Sequence, residues 1–419
     1  MDFTELPDLA VRTLGGSVVA ANDELFAERE NLIKPEPAVF QAHTFGHKGQ
    51  IYDGWETRRR REPGHDWAIV RLGAPGVIRG VVVDTAFFTG NYPAQCSVEA
   101  ASVEGYPSPA ELADAPWTGI VPRSPLKGDT RNPFPVAAEE RFTHVRLNIF
   151  PDGGVARLRV HGEVVPDPRW LAGGPLDLAA LENGGLVADC SNMFYSSPNN
   201  LLMPGLARVM GDGWETARRR DEANDWVEVR LAGEGVVRRV ELDTTHFKGN
   251  APGWFRLSDA GGTELIPRTR LQPDTRHLFR VPPAPTTEVP LSRAAAPEPT
   301  TEVPLSRAAA PEPTTGASAA VPTTGAAAFP AAGPITVVRV DVYPDGGFAR
   351  LRLYGDLTAE GRSRLALNWY NRLPASHLTA VLEGDLGLPA SEAAALAAAR
   401  PVTDGAALPP PVAALLMGA

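Results

Sequence analysis

DGWETRRRR, at residues 53–61, begins the stretch of sequence that decides the fold of this chain. The stretch holds the densest polar and aromatic clustering in the sequence, and its later landmarks are HDW (65–67), DT (84–85) and GN (90–91). These landmarks return 159 positions further on, as GWET (213–216), DW (225–226), DT (243–244) and GN (249–250). Because the landmarks keep one offset and one order, the chain contains an internal duplication.

Short apolar segments separated by Gly, Pro and Asp follow the landmarks in both copies, which is typical of β-strands joined by turns. Residues 68–72 and 77–83 are predicted to be two strands, joined by the turn Gly-Ala-Pro-Gly. PDGG at 151–154, matched at 344–347, lies between alternating apolar runs and predicts a β-hairpin. Together these signals predict an all-β protein built of duplicated β-sandwiches.

The duplication also predicts the domain limits, with a first repeat at residues 1–165 and a second at 166–356. An insertion at about 285–333 interrupts the second repeat, where PTTEVPLSRAAAPE occurs twice in tandem. A segment this rich in Pro, Ala and Thr cannot bury a core, so we expect disorder there. Residues 357–419 contain good helix formers and predict short helices, packed on one of the domains, and a tail.

Composition excludes several classes of protein. The formal charge of −10 argues against general nucleic-acid binding, which needs a broad basic surface. Two cysteines cannot build a zinc-thiolate site or a disulfide framework, and no apolar run is long enough to cross a bilayer. Because the first residues resemble no export signal, we expect a cytoplasmic protein with a small-molecule partner. No cofactor and no metal are expected, and a homo-oligomer is compatible with the sequence.

The repeated motifs, taken together, resemble those of the allantoicase family. The resemblance rests on DGWETRR (53–59), HDW (65–67), GAPG (73–76), DTAFFTGNYP (84–93), PDGG (151–154) and their second copies, which include FKGNAP (247–252). It covers nearly the whole chain from about residue 9 to residue 355, apart from the insertion. Several long motifs occur in the right order twice, so the match is specific.

The resemblance implies two galactose-binding-like jelly-roll sandwiches in one chain. It also implies hydrolysis of allantoate to ureidoglycolate and urea, a step of purine breakdown through allantoin, without a cofactor. The strand pattern agrees with that fold independently, but it does not by itself give the reaction. No Gly-x-Ser-x-Gly elbow, zinc-peptidase helix, P-loop or dinucleotide fingerprint occurs in the sequence.

Allantoate carries one carboxylate and two ureido groups on a single carbon, so its binding requires a guanidinium and several amide or carboxylate partners. Release of urea requires a general acid and an activated water. The candidate catalytic residues are Glu56, His65 and Asp66. The candidate substrate-binding residues are Arg58, Arg59, Asn91, Glu215, Arg218, Asp225 and Asn250. We expect the loops that carry them to bind substrate, near the contact between the repeats.

Each candidate also has a structural interpretation. Trp55, Trp67 and their second copies are typical of a sandwich core, and the arginines after Glu56 are compatible with internal ion pairs. His65 is matched by Asn224, while His43 and His47 have no counterpart. A duplicated chain with one asymmetric site would place catalytic groups at such unmatched positions, although a surface histidine is the more common situation.

Two further functions remain compatible with the sequence. A β-sandwich can be a non-catalytic module that binds a small molecule or a carbohydrate through its loops. The chain can also be a structural paralogue that has lost its activity. Polar rather than aromatic repeated loops argue against the carbohydrate module, and a urea-release assay on allantoate separates all three possibilities.

Overall fold

The structure is a computed structural model that describes residues 2–40, 43–46, 49–50, 52–281 and 333–417. His47 and residues 285–332 of the insertion therefore lie outside the described residues. The strands of the first repeat are β1 (Ser17–Ala21), β2 (Phe45–Gly46), β3 (Gly49–Gln50), β4 (Trp55–Glu56), β5 (Asp66–Asp84), β6 (Gln95–Ala101), β7 (Thr118–Pro125), β8 (Arg131–Pro135), β9 (Arg141–Phe150), β10 (Gly154–Val155) and β11 (Arg157–Val164).

The strands of the second repeat are β12 (Leu176–Asp177), β13 (Leu186–Cys190), β14 (Trp214–Glu215), β15 (Asp225–Asp243), β16 (Trp254–Asp259), β17 (Glu264–Arg270), β18 (Arg276–Arg280), β19 (Ile335–Tyr343), β20 (Gly347–Phe348) and β21 (Arg350–Leu357). The helices are α1 (Pro109–Ala113), α2 (Ala359–Arg372), α3 (Ala375–Leu386), α4 (Ala390–Ala398) and α5 (Pro410–Met417).

Strand β5 joins the two layers of the first repeat. Its first half pairs with β1 and β9, and its second half pairs with β8 and β11, all antiparallel. The register with β9 shifts between Arg71 and Gly76, where the sequence had predicted a turn between two strands. That prediction is wrong, because the glycines permit a bulge that bends one strand of 19 residues instead of ending it.

The second repeat has the same arrangement. The first half of β15 pairs with β13 and β19, and its second half pairs with β18 and β21. Outer strands complete one layer in each repeat, in the order β9-β6-β7 and β19-β16-β17. The predicted all-β fold with two jelly-roll sandwiches is therefore confirmed.

The PDGG segments do not form the predicted hairpins. β9 and β11, described over their whole lengths, pair with different halves of β5 and not with each other. PDGG therefore carries the chain from one layer to the other. Gly153 has φ +139 and an added Cβ would lie 2.7 Å from the Asn91 carbonyl oxygen, so this crossing requires glycine.

The core lies between the two layers and is built from alternate strand residues. Val70 and Leu72 of the first half of β5 belong to the same buried cluster as Val81 and Val83 of its second half. Trp55 and Trp214 are fully buried, which confirms their structural interpretation. Trp67 and Trp226 are only half-buried, so their assignment to the core is wrong, because each follows the buried Asp66 or Asp225 and points to the opposite face of its strand. Burial of such apolar surface supplies the main stabilisation of each sandwich.

The C-terminal helices contact both repeats, not one as predicted. Thr358 caps α2 by accepting a hydrogen bond from Gly361 N, and the buried side chains of α2 include Leu365 and Trp369. The apolar cluster around Trp369 includes Val77 of the first repeat, while α2 also packs on β15 of the second. In the described part of the chain, no helix is long and apolar enough to span a membrane.

Candidate active site

The predicted loops meet at one end of each sandwich. In the first repeat, Asp66 at the start of β5 pairs with Ile149 near the end of β9, and Gln95 at the start of β6 pairs with Phe150. Antiparallel pairing thus gathers the loops before β5, before β6 and after β9 at the same end. We call this end, with the loop residues 56–65 and 85–94, the polar end of the first repeat.

A glutamate and an asparagine are hydrogen-bonded at the polar end of both repeats. Asn91 Nδ2 donates to Glu56 Oε1 at 2.7 Å, and Asn250 Nδ2 donates to Glu215 Oε1 at 2.6 Å. Burial raises the pKa of Glu56, and the opposing hydrogen bond from Asn91 does not cancel this rise. The carboxyl of Glu56 therefore keeps a proton to a higher pH than an exposed glutamate does.

Asp66 is a buried anchor for an arginine and is only 1% exposed. Its Oδ1 accepts from Arg60 Nη1 at 2.7 Å and from Asn22 Nδ2 at 2.8 Å. Arg60 N in turn donates to Asp152 Oδ2 at 2.8 Å. Gly64, with φ +140, leaves room for this guanidinium, because an added Cβ would lie 2.7 Å from Arg60 Nη2. Asp66 thus holds the guanidinium of Arg60 in place through a buried ion pair.

Asp225 has the same position in the second repeat and is fully buried. Its Oδ1 accepts from Arg219 Nη1 at 2.8 Å and from Ser191 Oγ at 2.9 Å. Arg219 has an additional partner, because its Nε donates to Asp221 Oδ1 at 2.9 Å. In the first repeat Arg60 Nε is buried without a hydrogen-bond partner among the described residues. The two arginines therefore differ in how many of their donors are used.

The remaining predicted arginines are exposed. Arg58 Nε donates to Asp23 Oδ2 at 2.5 Å, while Arg59 and Arg218 form no ion pair with any residue that the structure describes. The second repeat has Ala217 at the position of Arg58. Arg59 is accordingly available to an anion from solvent, as is Arg61, which is also exposed and forms no described ion pair.

His65 lies at the edge of a cavity of about 710 Å³ on the outer face of the layer formed by β5, β9, β6 and β7. Its ring packs at a tilt of 39° against that of Phe150, with 4.8 Å between the ring centroids. The polar side chains that line this sheet-face cavity are Arg60, His65, Ser97, Glu99, Arg146 and Asn148. The unmatched histidine and one arginine of the predicted loop are thus brought together here.

Three strand residues of the cavity form one hydrogen-bonded group. Glu99 Oε2 accepts from Arg146 Nε and from Asn148 Nδ2, both at 2.8 Å. Burial acts to raise the pKa of Glu99, but these hydrogen bonds outweigh it and the pKa is lowered. Glu99 is therefore an ionised carboxylate beside a guanidinium. This pair was missed from the sequence because Arg146 recurs as Arg339 in the second repeat, whereas Glu99 lies outside the motifs and is matched by Ser258.

The structure does not bring all predicted residues to one place. A second cavity, of about 430 Å³, lies between the repeats and is lined by Asp8, Arg159, His161, Arg208 and Arg350, among others. None of the predicted site residues lines it, so the expectation of a site near the contact between the repeats gains no support.

His43 is exposed, and within the described residues no group of three or more His, Cys, Asp or Glu could hold a metal ion.

Comparison with known proteins gives a consistent result. The family model described as the allantoicase repeat matches residues 7–165 and 176–294. A probable allantoicase of Nocardia farcinica is 54% identical over 361 residues, covering 85% of this chain and 95% of the relative. A probable allantoicase of Streptomyces coelicolor is 50% identical and covers 87% and 89%. A crystal structure of allantoicase from Saccharomyces cerevisiae is 30% identical, with a TM-score of 0.63 and coverage of 84% and 93%.

Proposed function

Because the chain belongs to the allantoicase family, we infer that it hydrolyses allantoate to ureidoglycolate and urea. The observation that carries this function is the 54% identity to a probable allantoicase over 95% of that relative's length, with both repeats matched by the family model. A non-catalytic binding module is not favoured. What remains to be assigned is where on the molecule the reaction occurs and which groups perform it.

The chemistry requires few groups. Urea leaves when the bond between the central carbon and one ureido nitrogen breaks and that nitrogen gains a proton. The hydroxyl of a water then bonds to the carbon, and the remaining proton of that water goes to a base. The lone pair of the second ureido nitrogen assists the departure, so a general acid, a general base and an anion site are sufficient.

We propose that the polar end of the first repeat carries the reaction. Glu56 is the best candidate for the general acid, since its raised pKa keeps it protonated closer to neutral pH. Asn91 holds the carboxyl in place through its hydrogen bond. Glu56 and Arg60 are only four positions apart in the sequence, which limits the distance between their Cα atoms to roughly 14 Å.

The other predicted residues have complementary roles in this proposal. Arg59 is exposed and available to attract the anionic substrate, with Arg58 held nearby by Asp23. His65, on the edge of the sheet-face cavity, is the candidate base for the water. Asp66 acts as a positioning residue, because it is buried against Arg60 and has no exposed surface for substrate.

The second repeat supplies a matched set. Glu215, Arg218, Asp225 and Asn250 repeat the geometry of Glu56, Arg59, Asp66 and Asn91. We propose that their share in substrate binding is smaller than that of the first repeat, because Asn224 replaces His65 and Ala217 replaces Arg58. Substitutions at equivalent positions of the two repeats therefore measure directly how much each repeat contributes to substrate binding.

We also propose that the chain forms a homo-oligomer in the cytoplasm. Large apolar side chains are exposed in loops of both repeats, including Phe26 at 45%, Phe45 at 66% and Tyr195 at 68%. Cys96 and Cys190 are unpaired thiols, which fits a reducing compartment. Light scattering after size-exclusion chromatography tests the assembly, and a monomer at micromolar concentration would contradict it.

The decisive experiment is an assay of both nitrogen products with purified protein and allantoate. We expect one urea per allantoate, ureidoglycolate as the second product, and no ammonia. Ammonia as the first nitrogen product, or no turnover in a correctly folded protein, would refute the proposed function.

A further inference from the structure

The sheet-face cavity of the first repeat has hydrogen-bonding atoms that no described protein group uses. Glu99 Oε1 and Asn148 Oδ1 accept no hydrogen bond from the described residues, although Glu99 Oε2 and Asn148 Nδ2 are both engaged. Asn148 as a whole is only 5% exposed, but its Oδ1 and Glu99 Oε1 are accessible from the cavity that both residues line. Unpaired acceptors that face a cavity are available to a ligand.

Donors are also left unused beside these acceptors. Arg60 lines the cavity, and its buried Nε has no described partner. Arg146 uses Nε for Glu99, while its guanidinium lies over the Trp117 ring at 4.6 Å and forms no other described hydrogen bond. The cavity therefore combines two guanidinium groups with two free acceptors and the aromatic side chains of His65 and Trp67.

The matched face of the second repeat uses its polar atoms within the protein. Arg256 is at the position of Ser97, and Asp341 is at that of Asn148, because each pair is in direct register across β16–β19 or β6–β9. Arg256 Nη2 donates to Asp341 Oδ2 at 2.8 Å, and Asn224 Nδ2 donates to Asp341 Oδ1 at 3.0 Å. Asp341 is 1% exposed, and both of its carboxylate oxygens accept from protein donors.

The loop arginines differ in the same direction. Arg219, which corresponds to Arg60, satisfies its Nε through Asp221, whereas the residue at that position in the first repeat, Glu62, forms no such pair. The strand residues and the loop residues thus differ independently between the repeats. Both differences leave polar atoms of the first repeat without a described partner, whereas the matching atoms of the second repeat are hydrogen-bonded. Since the two repeats share one backbone architecture, the cavity is a property of a few side chains and not of the fold.

We propose that the sheet-face cavity of the first repeat binds a small ureido carboxylate, and that each chain has one such site. The carboxylate of the ligand is bound by Arg60 and Arg146, which offer planar guanidinium donors. The ureido N–H groups donate to Glu99 Oε1 and Asn148 Oδ1, and the flat ureido plane packs against Trp67 and His65, which also line the cavity. A ligand that carries N–H donors and a carboxylate can therefore bind the oxygen acceptors of Glu99 and Asn148 as well as the guanidinium donors of Arg60 and Arg146.

This inference rests on the proposed function for the identity of the ligand, since allantoate and ureidoglycolate are both ureido carboxylates. It goes further in assigning Ser97, Glu99, Arg146 and Asn148 to recognition. One ligand molecule is bound per chain, although the chain has two repeats. A site formed by the duplicated motif alone would bind two ligand molecules per chain.

The test uses N-carbamoylglycine, a stable molecule with one carboxylate and one ureido group. Isothermal titration of the full-length protein should give one bound molecule per chain, and D-glucose, a polyol without a carboxylate, should not bind. Two molecules per chain would refute the asymmetry. Binding of D-glucose in place of N-carbamoylglycine would refute the ligand class.

The second repeat provides the matched variants. The double substitution Ser97→Arg with Asn148→Asp converts the first face into the second, and we expect it to weaken N-carbamoylglycine binding at least tenfold while the protein stays folded. The reverse change, Arg256→Ser with Asp341→Asn, should leave that binding and urea release unchanged. Glu99→Gln keeps the cavity but removes its charge, and it should weaken binding several-fold even if the double variant does not fold.

The outcomes separate this inference from the proposed function. A wild-type protein that releases no urea from allantoate refutes the function, whatever binds in the cavity. A wild-type protein that releases urea, with binding unchanged in both the Ser97/Asn148 and the Glu99 variants, refutes the cavity as the ligand site and leaves the function intact. Loss of binding and a raised KM in these variants supports the inference.

Discussion

The two repeats of this chain have the same scaffold but different open surfaces. Both contain a bent 19-residue strand, a buried Trp, a glutamate–asparagine pair and a buried aspartate that holds an arginine. They differ on the outer face of one layer, where Ser97 and Asn148 line a cavity while Arg256 and Asp341 pair with each other. The duplicated motifs therefore mark what the two repeats share, and the unmatched positions mark where one repeat can act differently from the other.

The largest expected difference between the repeats is in catalysis. Glu56→Gln removes a general acid and should lower kcat/KM by about 10²–10³-fold, whereas Glu215→Gln should change it by less than about threefold. Because the acid must be protonated, wild-type activity should fall as pH rises through the raised pKa of Glu56. Steady-state kinetics across pH measure both effects. Equal losses in the two variants would show that both repeats contribute a catalytic glutamate.

A smaller but substantial difference concerns stability. Asp66→Asn leaves Arg60 without its carboxylate partner and should cost on the order of 3 kcal/mol, because breaking a buried ion pair strands a charge. Asp225→Asn should cost less, since Arg219 keeps its bonds to Asp221 at 2.9 and 3.1 Å. Unfolding in guanidinium chloride gives both values. A larger loss for Asp225→Asn would contradict the role assigned to Asp221.

A histidine that the second repeat lacks should make the first repeat sensitive to acid. Burial, assisted by the charge of Arg71, lowers the pKa of His144 to about 4, and the matched residue is Val337. The pKa of His144 is lower in the folded protein than in the unfolded chain. Neutral His144 therefore makes its full contribution to stability above about pH 6.5, and this contribution is lost as pH falls towards 4.

The corresponding test replaces the histidine by the residue of the other repeat. Between pH 7 and pH 4, the free energy of unfolding should fall by on the order of 2 kcal/mol less in His144→Val than in the wild type. Melting temperatures of wild type and variant across this range measure the difference. An unchanged pH dependence would mean that the buried carboxylates, and not His144, dominate the acid response.

The smallest effect is expected from the insertion, although its residues 285–332 lie outside the described part. The first repeat joins β8 to β9 with only residues 136–140, between Pro135 and Arg141. A similar connection should therefore suffice between Arg280 and Ile335, and deletion of 285–332 should leave urea release nearly unchanged and raise stability by at most about 2 kcal/mol. Thermal melts and urea-release kinetics of the deletion variant test this. A large loss of turnover would show that the insertion has a function.

Much of the fold could be predicted because it depends on local signals. Alternating apolar residues and turn residues predicted the strands, and the fixed offset predicted two sandwiches. The bend in β5 and the layer crossing at PDGG could not be predicted, because a bulge and a crossover use the same Gly and Pro residues as a turn. Which layer a strand joins depends on tertiary pairing that a single sequence does not contain.

The site was predictable only in its repeated part. Glu56, Arg60 and Asp66 lie in a motif that two copies make visible, and they meet at one end of the sandwich as expected from their position. Glu99, Arg146 and Asn148 lie in ordinary strands, where charged residues are typical of any solvent face. Only the strand register brings these three side chains together across β6 and β9.

The placement of the C-terminal helices has a consequence for how the chain is made. Arg372 of α2 donates to the Glu139 carbonyl oxygen of the first repeat at 3.0 Å, while α2 also packs on β15 of the second. These helices are translated after both sandwiches, and domains generally fold as units while synthesis proceeds. Each sandwich can therefore form its core on the ribosome, and the helices add their contacts to both only after they have emerged.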